Sequence, residues 1–342
     1  MEAAGEMVDD ATVLIIQSVS AHVDLNQAQR RLQAIARLLI CATFLEDSLR
    51  MVTSFQTQVA TISMVVRAGF LPISVGEAWA VVAFSALLQS SAAVAILLEK
   101  KELAGCIALI VWCCVHPTIY AQLGNGEFVS ETISVIGGLC ILLSHLKEMR
   151  AARREILGTT GPAQLPGEPA SDWLCLIGRS LLCSYFIYYF GAKMGAIFGG
   201  ELKFHSAVVE IILMMVLIYM CLLIVVGSRS RRVALGLAVV MLVGNFVFHP
   251  FWYFWFLGHE FVSVAQLREI STRLPVDVSL LGDTTGTASM FALYDHERYF
   301  FFQRLSTVGA LVLLAVYGPG RHSVDEPSAP MHHEKFTGKG KD

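Results

Sequence analysis

Apolar residues in this chain come in long unbroken runs, not in the period-two alternation of a half-buried strand. Eight runs stand out: Leu32–Arg50, Trp79–Leu98, Leu103–Tyr120, Phe128–Leu146, Trp173–Tyr189, Ala207–Val226, Val233–Leu257 and Phe300–Tyr317. Each is close to the ~20 residues a helix needs to cross the hydrocarbon core of a bilayer. The pattern predicts an all-α polytopic membrane protein with about eight transmembrane helices. The first run is the least apolar, because Glu46, Asp47 and Arg50 stand at its end. Charge there is costly unless it meets an interface or a protein-lined cavity.

Composition agrees with the pattern. Of 342 residues, 55% are hydrophobic and 15% are charged, against about 25% charged in soluble domains. Mean hydropathy is +0.60 and net charge −3. These values exclude a disordered chain, a fibre and a soluble nucleic-acid binder, which would need a basic excess. The eight cysteines lie in or beside apolar runs, without a CxxC pair, and read as small core residues. The first 30 residues hold five acids and no base before Arg30, which does not read as a signal peptide.

Basic residues orient the chain. With eight spans, fifteen Lys and Arg fall on the side that holds both termini, and seven fall on the other. The positive-inside rule then puts both termini in the cytosol.

The chain also repeats itself. Ile35–Phe44 recurs as Ile177–Phe186, with Arg37 matching Arg179 and Cys41 matching Cys183. Lys100-Lys101 before Gly105 recurs as Arg231-Arg232 before Gly236. His116-Pro117 with Tyr120 recurs as His249-Pro250 with Tyr253. Phe128, Glu131, Ser134 and Gly137 recur as Phe300, Gln303, Ser306 and Gly309. The expected organisation is a cytosolic leader (1–31), a first four-helix repeat (32–146), a cytosolic linker (147–171), a second four-helix repeat (172–318) and a cytosolic tail (319–342). Four spans per unit give two tandem repeats of parallel orientation.

With that topology, polar and aromatic residues collect at the non-cytosolic ends of the spans. They are Glu46, Asp47, Arg50, His116, Tyr120, Phe128, Glu131, His249, Trp252, Tyr253, Phe301 and Gln303. Plainer readings exist for each type. Aromatics at span ends form the ordinary interfacial belt. A His-Pro pair can be a kink whose freed carbonyl neighbouring helices satisfy. Glu46 and Asp47 beside Arg50 can be a self-compensating ion cluster.

Some of these residues carry a resemblance. Phe44-Leu45-Glu46-Asp47-Ser48-Leu49-Arg50-Met51 resembles the signature at the end of the first span of the surfeit locus protein 4 family. Phe301-Phe302-Gln303, Ser306, Gly309, Gly318-Pro319-Gly320, Ser323 and Asp325-Glu326 resemble its last span and tail. Gly178-Arg179 and the stretch from Asn245 to Phe251-Trp252 match as well. The likeness runs from about Ala36 to Glu326. It implies a membrane cargo receptor of the endoplasmic reticulum, cycling through the intermediate compartment and cis-Golgi. Such a receptor takes soluble secretory proteins, often through hydrophobic, proline-containing N-termini, and meets COPII and COPI coat components. The family tail often ends with lysines at −3 and −4 or −5; here Lys339 is at −4 and Lys341 at −2.

The residues and the resemblance together point to a luminal cargo site and a non-enzyme, with no cofactor, metal or nucleic acid. The cationic α-amine of a cargo would meet Glu46 and Asp47, and the aromatic residues would hold its apolar side chains. Lys339 and Lys341 would serve as a retrieval signal. Homo-oligomerisation is left open. Two alternatives remain: a DoxX-like membrane redox enzyme using His116 and His249, and a lipid or small-molecule transporter.

Overall fold

The computed structural model describes residues 2–68, 74–156, 169–199, 204–252, 261–263 and 287–325. The helices are α1 (Glu2–Thr53), α2 (Phe55–Arg67), α3 (Ala78–Leu97), α4 (Glu102–Ile119), α5 (Gly126–Ile156), α6 (Pro169–Leu182), α7 (Ser184–Phe198), α8 (Phe204–Val226), α9 (Ser230–Phe248) and α10 (Met290–Tyr317). Two three-residue strands, β1 (Phe261–Ser263) and β2 (Thr287–Ser289), pair antiparallel.

Among the described residues, seven helical stretches are long and apolar enough to cross a membrane. They correspond to all the expected spans but Leu32–Arg50. That run lies inside α1 and carries Arg37, Glu46, Asp47 and Arg50, so its composition alone does not qualify it. It nonetheless packs against α10 and α3. The chain is an all-α polytopic membrane protein.

Several boundaries differ from the expected ones, each for a local reason. No Gly or Pro occurs between Glu6 and Ala68, so nothing breaks α1 as it runs from the leader through the first span. The chain then bends at Ser54 into α2, an amphipathic helix that the apolar runs do not reveal. The stretch expected as a linker from residue 147 continues α5 to Ile156. The fifth span is broken at Cys183, whose N–H bonds back to Ser180 O, three residues away. The seventh span stops at Phe248, short of the expected Leu257. Pro250 disfavours helical geometry at the residue before it, and His249 takes φ −124° and ψ 62°. The last span starts at Met290, ten residues before Phe300, which brings Tyr294–Arg298 onto the helix.

Helices α5 and α10 form the centre and pack on each other. Around them, α1 packs on α10 and α6 on α5, while α9 packs on α10 and α4 on α5. Helix α8 lies outermost and turns Val209, Ile212, Met215 and Tyr219 outward. Such a face suits lipid.

Contacts recur at matching positions. The Tyr185 N–H donates to Ser134 Oγ (3.1 Å), and the Thr43 N–H to Ser306 Oγ (3.2 Å). Ser134 donates to Leu182 O and Ser306 to Leu39 O, one residue apart in the register. A Cβ on Gly137 would stand 2.6 Å from Gly178 O, and one on Gly309 would stand 2.9 Å from Ala36 O. Glycine lets the backbones of α5 and α6, and of α10 and α1, touch. Cys41 Sγ points at Ala93 O and Cys183 Sγ at Cys221 O. At the turn before the third and seventh spans the geometry sets Lys101 (φ +56°) against Arg229 (φ +49°). That is three residues off the Lys101–Arg232 match read from sequence.

Candidate functional site

Call the end of the bundle bearing Lys100, Lys101 and Arg229 the basic end. The site lies at the opposite, far end. Three elements build it: the last turns of the membrane part of α1, the first turns of α5 and the first half of α10. Helix α1 brings Glu46, Asp47 and Arg50. Helix α5 brings Glu127, Phe128, Glu131 and Thr132. Helix α10 brings Tyr294, Asp295, Glu297, Arg298, Tyr299, Gln303 and Arg304.

The charges form three linked groups. Arg50 bonds Asp47 (Nη2 to Oδ1, 2.5 Å), reaches Asp295 at 3.5 Å and lies over the Tyr299 ring at 4.7 Å. Gln89 donates to the other oxygen of Asp47 (2.8 Å). Arg298 sets Nε 2.8 Å from Glu46 Oε1 and Nη2 3.0 Å from Asp295. Arg304 donates to Glu131 and to Glu127, both at 2.7 Å, and covers Tyr185. Gln303, its amide nitrogen turned to Glu131 Oε2 (3.1 Å), accepts from the Thr132 hydroxyl (3.1 Å). His249 Nδ1 meets Glu297 Oε2 at 2.7 Å.

Buried charge requires this degree of pairing. A carboxylate left alone in a low-dielectric interior costs several kcal/mol, and pairing offsets the loss of water. One carboxylate is less complete than the others. Glu46 is 6% exposed, and neither of its oxygens receives a well-directed hydrogen bond, although the Arg298 guanidinium stands beside it. Asp47 and Glu131, by contrast, have donors on both oxygens.

Between α1, α3, α4, α5 and α10 lies a cavity of about 20 Å³. Asp47, Gln89, His116, Thr132, Tyr299 and Gln303 are among its walls. A volume of that size admits about one ordered water. His116 is 7% exposed, packs against Trp112, Tyr120 and Phe128, and leaves Nε2 without a hydrogen-bond partner. The Tyr120 hydroxyl is likewise unpartnered. A second aromatic group gathers where α9 ends: Phe251 and Trp252 pack edge-on against Phe301, and Phe246 joins them.

Most of the expected site residues therefore meet. Glu46, Asp47, Arg50, Glu131 and Gln303 enter the charged layer, and His116, Tyr120 and Phe128 form its wall on one side. His249, Trp252 and Phe301 gather beside α9, His249 stacking on Phe300 as His116 packs on Phe128. Tyr253, Lys339 and Lys341 lie outside the described residues. Sequence reading missed Arg298, Arg304, Asp295, Glu297, Gln89 and Tyr299. Arg304 had one available signal: it is the lone charge inside the run Phe300–Tyr317. Among the described residues, no three His, Cys, Asp or Glu side chains are placed to share a metal ion.

Comparison with known proteins bears on the α1 and α5 part of the layer. The Surfeit locus protein 4 homolog of Schizosaccharomyces pombe is 26% identical over 292 residues, 85% of this chain and 80% of that one. The homolog of the same name from Drosophila melanogaster is 24% identical over 297 residues, 86% of this chain and 89% of its own. The ER-derived vesicles protein ERV29 of Saccharomyces cerevisiae is 21% identical over 294 residues, 86% of this chain and 76% of its own. No solved structure matches. The family model described as SURF4 family matches residues 15–261, which include the first span with its Glu46, Asp47 and Arg50, so the chain belongs to the SURF4 family.

Proposed function

We propose that this chain is a membrane cargo receptor of the endoplasmic reticulum. It takes soluble secretory proteins at the far end of the bundle, which faces the lumen, and passes them into vesicles bound for the Golgi. The excess of Lys and Arg at the basic end supports a cytosolic position for that end and for both termini. One relative's name, ER-derived vesicles protein, fits such a role.

The observation that carries the reading is the incomplete carboxylate of Glu46 within a layer whose other carboxylates accept directed hydrogen bonds. An ammonium group offers three donors on a point charge. It suits a buried carboxylate that has a counter-charge and few hydrogen bonds. Asp47 is already filled by Arg50 and Gln89, so Glu46 is the acid placed to receive a cargo α-amine, with Arg298 turning aside. The aromatic group of Phe246, Phe251, Trp252 and Phe301 offers apolar surface at the same end.

The matched contacts also support reading the membrane part as two tandem four-helix units related by an axis along the membrane normal. The two units interlock, since the last span of each packs on the first span of the other.

The test is secretion of a cargo with an exposed N-terminal signal from cells that lack the receptor. Wild type restores export. Glu46→Gln, made at normal receptor level, does not, and cargo with an acetylated N-terminus loses its dependence on Glu46. Normal export by Glu46→Gln would overturn the assignment.

A further inference from the structure

At the basic end the chain turns back on itself after α10. Gly318 and Gly320 take φ of +94° and +77° on either side of Pro319, the left-handed region that glycine alone occupies without strain. The segment from Gly318 to Asp325 then crosses the ends of α6, α8 and α9. Cys175 Sγ donates to Pro319 O (3.3 Å). Arg179 donates to His322 O (2.5 Å) and to Ile224 O (3.4 Å). The Val324 and Asp325 N–H groups donate to Val226 O and Gly227 O. The Asp325 carboxylate accepts from the Arg229 N–H (2.8 Å), the Ser230 N–H (2.9 Å) and the Ser230 hydroxyl (3.2 Å). It thereby caps the start of α9.

Arg179 is the unusual member. It is fully buried, its hydrogen bonds go to carbonyl oxygens, and its Nε has no partner. The matching residue of the first half, Arg37, faces two carboxylates, Glu99 at 2.5 Å and Glu102 at 3.8 Å. Carbonyls at a helix C-terminus supply only about half a charge. The shortest bond that holds Arg179 therefore comes from the folded-back segment itself. Arg179 sits on α6 and Asp325 caps α9, and both elements lead toward the charged layer. Helix α9 carries the capped start at one end and Asn245, bonded to Phe301 O, near the other, with His249 just beyond it. The broken span α6–α7 links Arg179 to Tyr185, which lies under Arg304.

We propose that Gly318–Asp325 is a releasable strap. Docked, it ties the cytosolic tail to the fifth, sixth and seventh spans. A shift of α9 at the charged layer loosens the Asp325 cap and the Arg179 link together. The coupling to the far end rests on the cargo-receptor reading; the docking does not.

Cys175, 1% exposed beneath Pro319, reports the strap directly. The experiment uses the full chain in microsomes, with the other seven cysteines replaced by alanine. A membrane-impermeant maleimide is added from the cytosolic side. Wild type labels slowly. Asp325→Ala, at a solvent-exposed position, raises the rate about ten-fold, and Arg179→Lys does the same. His249→Ala, at the other end of α9, also raises it. An unchanged rate in Asp325→Ala at normal receptor level overturns the strap. A raised rate there with an unchanged rate in His249→Ala overturns the coupling and keeps the strap. Neither result depends on cargo, so failure of the cargo reading is seen separately in the secretion assay.

Discussion

Arg304 Nε lies 2.7 Å from Glu131 Oε1, which joins the last span to the fourth at the centre of the bundle. Both side chains are nearly sequestered, at 11% and 1% exposure. Such a pair contributes little net stability, because desolvation offsets most of the attraction. Removing one partner is another matter. Arg304→Leu leaves Glu131 and Glu127 without their cation and is expected to destabilise the protein by about 3–5 kcal/mol. Adding Glu131→Leu should recover most of that loss. Thermal unfolding of the purified single and double variants in detergent measures it. A double variant no more stable than the single one would contradict the pairing.

The glycine crossings give a second expectation. A Cβ at Gly137 or Gly309 would fall within 3 Å of backbone atoms of α6 or α1, which cannot move aside cheaply. Gly137→Val and Gly309→Val should each lower folded yield sharply, by overpacking of about 1–3 kcal/mol or more. Gly236 and Gly244 meet only ordinary contacts at 3.7 Å. Gly236→Ala and Gly244→Ala should therefore be neutral by fluorescence-detected size-exclusion chromatography. Equal losses at all four positions would point to general intolerance of side chains in the spans instead of close crossings.

Interlocked packing predicts how the chain divides. Helix α1 buries Ala36 and Ile40 against α10, and α6 packs on α5, so neither half encloses its own first span. A fragment of residues 1–156 and one of residues 157–342 should each aggregate when made alone. Made together, they should associate and co-purify. Stable, monodisperse single fragments would show that each half closes by itself.

Parts of this arrangement were legible in the sequence for a physical reason. Lipid demands about twenty apolar residues per span, and that demand leaves a pattern any reading finds. Ser134 and Ser306, and Gly137 and Gly309, which the sequence sets in register, make similar contacts to the fifth span and to α1. The charged layer was only half legible. Glu46 and Asp47 stand out as charges in an apolar run, but their partners Arg298 and Gln89 lie far away in sequence, at a distance only the fold sets. Tyr294–Arg298 falls before the last apolar run, and only the packed helix turns it inward. The break at Cys183 has no Gly or Pro to announce it. Helix α2 falls below the length of a span, so the search for long apolar runs passed over it.

Asp325 makes a prediction about pH. Its slight burial favours the protonated form, but hydrogen bonds from the Arg229 and Ser230 N–H groups and the Ser230 hydroxyl outweigh this and hold its pKa below the ordinary 3.8. A carboxylate with a depressed folded-state pKa contributes in full above the unfolded value, and the contribution fades as pH falls through the folded one. Between roughly pH 5 and 8, the interval in which histidines titrate, the cap on α9 should therefore hold constant. Hydrogen exchange at the Arg229 and Ser230 amides, corrected for the intrinsic pH dependence of exchange, should be flat across that interval. Protection should fall only below about pH 4. Asp325→Asn keeps an oxygen acceptor and loses the charge, so it should give partial protection with no acid transition. A transition near pH 6 in the wild type would contradict Asp325 as the group that holds the cap.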